Sequence, residues 1–122
     1  MSLEPPSEIR SVNDISPEAY QRIYDFLQGA VYCWCKNQED EFGLRDLMGG
    51  KNFFWARTPL IAIWNKHKAL GLTDDDALTA AAIDGGWILK RVIDDDRRTF
   101  THRIEGQVRK YKWTGDDGDV EA

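Results

Sequence analysis

Apolar residues at Tyr20, Ile23, Tyr24, Leu27, Ala30, Val31 and Trp34 recur at three- and four-residue intervals, the signature of one helix face. Ser16 can cap that helix. Pro17 suits its first position, where a missing N–H costs nothing. Phe26, Tyr32 and Cys33 widen the apolar surface, which predicts a helix that sits centrally or packs on two sides. The polar run Gln38-Glu39-Asp40-Glu41 ends it. A short helical turn follows over Phe42 to Met48, stopped by Gly49-Gly50. Thr58-Pro59 repeats the cap-plus-proline signal ahead of Leu60, Ile61, Ile63, Trp64 and Leu70, with Asn65, Lys66, His67 and Lys68 on the polar side and Gly71 as the stop. Thr73 opens another helix, and Asp74, Asp75 and Asp76 suit its positive N-terminus.

Beyond Gly85-Gly86 two readings compete. Trp87 to Ile93 forms a strand ending in an Asp94-Asp95-Asp96 turn, or the helix runs on, because Leu78, Ala82, Gly85, Leu89 and Val92 keep a helical stripe. Two glycines inside a helix cost about 1 kcal/mol each, which favours the strand. From Arg98 the period becomes two. Phe100, His102 and Ile104 alternate with Thr99, Thr101 and Arg103, and Gln107 to Trp113 returns after a Glu105-Gly106 loop. The expected fold class is therefore α+β: a helical N-terminal part followed by an antiparallel β-hairpin or three-stranded meander. Residues 1–15 read as a flexible arm, 16–113 as a single globular domain and 114–122 as an acidic disordered tail.

The chain has 122 residues and a net charge of −5, which fits one domain and argues against DNA binding by the whole surface. The charge is unevenly spread. Residues 1–50, 71–86 and 114–122 carry −5, −4 and −4, whereas 51–70 and 87–113 carry +4 each. Such blocks either neutralise one another on a solvated surface or bring the two basic ones together against a polyanion. No apolar run is long enough to span a membrane, and the N-terminus has no signal-like apolar region, so a cytoplasmic protein without a membrane partner is expected. Cys33 and Cys35, two apart on a helix, point away from each other, which suits reduced thiols and neither a disulfide nor a shared metal.

The order helix, short helix, helix pair with a tight turn, then hairpin is similar to the winged helix-turn-helix superfamily. Thr58 to Ile104 carries the likeness, through the Leu70-to-Thr73 turn, the alanine-rich second helix and an Asp-Arg-Arg wing tip. The resemblance implies DNA binding, with the second helix of the pair in the major groove and the wing on phosphates. This chain departs from that pattern: the candidate recognition helix opens on three aspartates and has no Arg, Lys, Asn or Gln to read bases. Phosphate contact then falls to Lys66, Lys68, Lys90, Arg91, Arg97, Arg98, Arg103, Arg109, Lys110 and Lys112. The expected function is a small non-enzymatic nucleic-acid-binding or regulatory module using the basic hairpin. The alternative is a protein-interaction or oligomerisation module, a homodimer included, because five Trp and five Phe exceed what one small core hides.

Catalytic signals are sparse. Gly49-Gly50-Lys51-Asn52 lacks the spacing and hydroxyl of a phosphate loop, so no nucleotide cofactor is expected. Asp94-Asp95-Asp96 lacks the spacing of a calcium loop and reads as a solvated turn. A metal nuclease built from Asp94 or Asp96, Glu105 and Lys110 would lack its tight acid-x-lysine pattern. His67 and His102 have no nucleophile beside them in sequence, and His102 reads as half-buried. The aromatic run Phe53-Phe54-Trp55 is expected to plug the core, with base stacking as the other use.

Overall fold

A computed structural model describes residues 12–49, 55–106 and 108–115. Its order is α1 (Pro17–Asn37), α2 (Leu44–Leu47), a single 3-10 turn (Trp55–Arg57), α3 (Ile61–Ala69), α4 (Asp74–Asp95), β1 (Phe100–Glu105) and β2 (Val108–Trp113). The chain is α+β, with four helices followed by a two-stranded antiparallel hairpin among the described residues.

The expected caps form. Ser16 Oγ accepts from Ala19 N at 3.0 Å and Thr73 Oγ1 from Asp76 N at 3.2 Å, each satisfying a first-turn donor. Gly71 takes φ +86° and turns α3 into α4. Ile23, Leu27, Val31 and Cys35 bury the predicted stripe of α1. Tyr32 and Cys33 lie exposed, so α1 packs on one side only and its apolar surface is narrower than expected. Thr58 does not cap α3 directly: its hydroxyl accepts from Leu60 N within a preceding turn, and the helix begins at Ile61.

The strand expected over Trp87 to Ile93 is helix. α4 runs unbroken for 22 residues, and Asp94 and Asp95 lie in its last turn instead of forming a β-turn. Gly85 explains this. A Cβ there would lie 2.7 Å from Leu44 Cδ2 and 3.3 Å from Leu60 Cδ2, so the bare backbone is what lets α4 pack against α2 and the start of α3. Ile88, Leu89, Val92 and Ile93, beyond the glycines, are all buried. Burial worth about 1.5–3 kcal/mol per side chain outweighs the propensity cost of the glycine pair.

The hairpin register pairs Phe100 with Trp113 and Glu105 with Val108. Glu105, expected in the loop, is therefore the last residue of β1, and Gly106 turns the chain at φ +62°. No full third strand forms among the described residues. Phe42 instead makes a one-residue bridge to the free edge of β2, exchanging two 2.8 Å hydrogen bonds with Tyr111. Phe42, Phe100 and Tyr111 are buried there, with Phe42 at 6.2 Å and 6.0 Å from the other two ring centroids. Val12 and Ile15, inside the expected arm, pack against the core. Most of that arm, the Gly50 to Phe54 stretch with its two phenylalanines, and the tail from residue 116 lie outside the described residues. Among the described residues no helix is long and apolar enough to cross a membrane.

Candidate binding surfaces

Opposed residues of an antiparallel pair share a face. Phe100/Trp113, His102/Tyr111 and Ile104/Arg109 therefore lie on the core side of the hairpin, and Thr101/Lys112, Arg103/Lys110 and Glu105/Val108 on its outer side. The basic residues nominated for phosphate contact do not form one continuous surface. Arg103 reaches across β2 to bind Glu41 through two guanidinium nitrogens, and also approaches Glu105. Lys110 Nζ lies 2.7 Å from Asp46 Oδ2. Glu41 and Asp46 flank the Phe42 bridge, so the bridge carries two acids to the hairpin's basic face.

Arg98 is a packing residue. Its Nε and Nη2 hold Asp96 at 3.0 Å and 2.7 Å, and its guanidinium lies 5.8 Å from the Tyr32 ring centroid and 6.0 Å from that of Phe100. Lys90 is buried on α4 with Nζ 5.2 Å from the Trp87 ring. Lys66 Nζ and His67 Nε2 converge on one oxygen of Asp84, at 2.6 Å and 2.8 Å, and Lys66 also donates to the Asn13 carbonyl. Lys68 holds Asp74 at 2.7 Å. Arg97 is exposed in the turn after α4. Arg91, Arg109 and Lys112 make no side-chain hydrogen bond or ion pair with another described residue. Blocks of opposite charge thus meet in four ion pairs among the described residues, Lys66–Asp84, Lys68–Asp74, Arg103–Glu41 and Lys110–Asp46, in line with the first of the two charge readings.

The electrostatics follow from these contacts. Burial alone would push the Asp46 and Asp96 carboxyls up. The hydrogen bonds from Lys110 and the Gly43 N–H, and from the Arg98 side chain and N–H, outweigh it and hold both below the usual carboxylate range. Arg103 holds the half-buried Glu41 down in the same way. Tyr24 donates to Asp95 Oδ2 at 2.8 Å; burial, then that bond, push its hydroxyl up to about 12.

No group of three His, Cys, Asp or Glu side chains that could hold a metal occurs among the described residues. The nuclease set is dispersed, since Asp96 holds Arg98, Glu105 faces Arg103 and Lys110 holds Asp46. A cleft of about 300 Å³ opens between the start of α1 and the corner before α3, lined by Arg22, Arg57 and Thr58 over an alanine-rich floor.

Sequence reasoning missed where the apolar surface emerges. The described tryptophans are all at least partly covered, and Trp55 lies 6.0 Å from the Trp64 ring. Exposure falls instead on Tyr32, Leu70, Ile83, Ile104 and Val108. The period-two alternation put Ile104 on the core-side face, and the signal for its exposure was its distance along the strand from Phe100. Compared with protein-family models, with curated proteins and with solved structures, the chain matches none of them.

Proposed function

We propose that the chain is a winged-helix-like protein-docking module whose hairpin tip is the contact element. The order α1, Phe42 bridge, α2, α3, α4 and hairpin supports the winged-helix reading, because the bridge adds a minimal first strand beside β2 and α4 leads into β1. One observation carries the functional reading. Arg103 and Lys110 are committed to Glu41 and Asp46, while the tip beyond them presents Ile104 at 62% and Val108 at 49% exposure, one on each face. An apolar tip whose nearest outer-face cations are neutralised favours a protein groove over a phosphate backbone. The acid-rich start of α4 points the same way.

Nucleic-acid binding is the second reading, and it rests on Arg91, Arg109 and Lys112, which are not committed to acids among the described residues. Fluorescence anisotropy of labelled duplex and single-stranded DNA separates the two. The docking reading expects weak binding at low salt that vanishes near physiological salt. Binding that persists there and is lost in an Arg91→Glu, Arg109→Glu, Lys112→Glu variant would replace it with the nucleic-acid reading. In affinity capture from extract, the docking reading expects a stoichiometric partner that an Ile104→Ser, Val108→Ser variant fails to retain.

A further inference from the structure

We infer that the outer face of α1 forms an antiparallel, two-fold symmetric contact with α1 of a second copy of this chain, in which Tyr32 of each copy lies against Gly29 of the other. This contact is separate from the hairpin tip and does not depend on it. The core face of α1 is set by Ile23, Leu27, Val31 and Cys35, all buried. Nearly opposite them, Arg22, Asp25, Gly29, Tyr32 and Lys36 recur at three- and four-residue steps and so form one stripe along the helix. Every residue of that stripe is exposed, and so are Gln28 and Cys33 on its two flanks. Tyr32 is its one large apolar side chain, 56% exposed. The Arg98 guanidinium, 5.8 Å from the ring centroid, braces one side of the ring and leaves more than half of the residue in solvent. A Cβ built on Gly29, one turn before Tyr32, would meet nothing within 4 Å, so the helix offers bare backbone where the ring of another copy can lie.

Charge complementarity selects the occupant. Asp25 lies four residues before Gly29, and Lys36 lies four after Tyr32. When two α1 helices run antiparallel with Gly29 against Tyr32, Asp25 of each copy therefore falls opposite Lys36 of the other. Arg22, three residues further out, falls toward Glu39 of the second copy, three residues beyond its Lys36. The symmetry forms each match twice, as an isologous contact requires. These charges are not consumed within the chain. Arg22, Lys36 and Glu39 are exposed and make no side-chain hydrogen bond or ion pair with another described residue, and Asp25 accepts only from the neutral Gln21 amide, at 2.8 Å. A parallel pair in register would oppose Asp25 to Asp25 and Lys36 to Lys36, and is disfavoured. The chain's net charge of −5 makes random self-contact repulsive, so a local match of this kind is what association needs.

Sedimentation velocity on the full chain, over micromolar to submillimolar concentration and at two salt levels, tests it. A reversible dimer that weakens with salt is expected. Gly29→Arg should leave a monomer with its helical circular dichroism intact, because the new side chain enters open space on its own chain and the place of the Tyr32 ring of the other. Asp25→Lys and Lys36→Asp should each weaken dimerisation about tenfold, and the double reversal should restore it. A monomer at every concentration overturns the inference. So does a dimer that survives Gly29→Arg, or a pair of reversals whose effects add without rescue.

Discussion

Lys110 and Asp46, 64 residues apart in the chain, meet at 2.7 Å and tie the second hairpin strand to α2. The same carboxylate accepts from the Gly43 N–H at 2.8 Å, so it closes the start of α2 and anchors the hairpin at once. Asp46→Ala should destabilise the fold by about 1–3 kcal/mol, because two donors lose their acceptor. Lys110→Met should cost less, since the Gly43 bond survives. Urea unfolding midpoints of the two variants check the order.

Gly85 and Gly29 are both helical glycines with opposite surroundings. A Cβ at Gly85 runs into Leu44 and Leu60, whereas at Gly29 it meets nothing within 4 Å. Gly29→Ala should stabilise the fold by about 0.5–1 kcal/mol through helix propensity. Gly85→Ala should destabilise it by about 1–3 kcal/mol, because the packed leucines must move. Thermal unfolding of both variants decides whether the close approach of α4 is what the glycine serves.

Asp96 and Arg98 set an acid-sensitive contact at the end of α4. The folded pKa of Asp96 is depressed, so its contribution to stability is full above the ordinary carboxylate range and fades as pH falls through the lower folded value. Asp96→Asn should cost about 1–3 kcal/mol at neutral pH, with the gap to wild type closing in acid, below the ordinary carboxylate range. Equal gaps at both pH values would show that the carboxylate's charge is irrelevant there.

Tyr24 behaves in the opposite sense at high pH. Its hydroxyl is raised to about 12 by burial and by the bond to Asp95, so its contribution holds below pH 10.0 and is lost as pH rises through the folded value. A phenolate absorbance titration should show late components from Tyr24 and from Tyr111, whose hydroxyl burial also pushes up, and Tyr24→Phe should remove the earlier of the two. The same substitution should cost about 1 kcal/mol at neutral pH.

Much of this fold is local and was legible in the chain. Ser16, Pro17 and Thr73 begin helices through their own side chains or fixed φ, and Gly71 ends one because its backbone tolerates a positive φ. The stripe of α1 and the period-two hairpin follow from spacing alone. The opposed charge blocks also announced that acids and bases could pair. Three matters needed the tertiary structure. Whether residues 87–93 were strand or helix depended on the leucines opposite Gly85, since glycine's local cost pointed the wrong way. Which base met which acid depended on the Phe42 bridge, which carries Glu41 and Asp46 to a hairpin more than fifty residues later. Which apolar side chains stayed in solvent depended on where the core ended, because alternation names a face and only packing says how far along that face the neighbours extend.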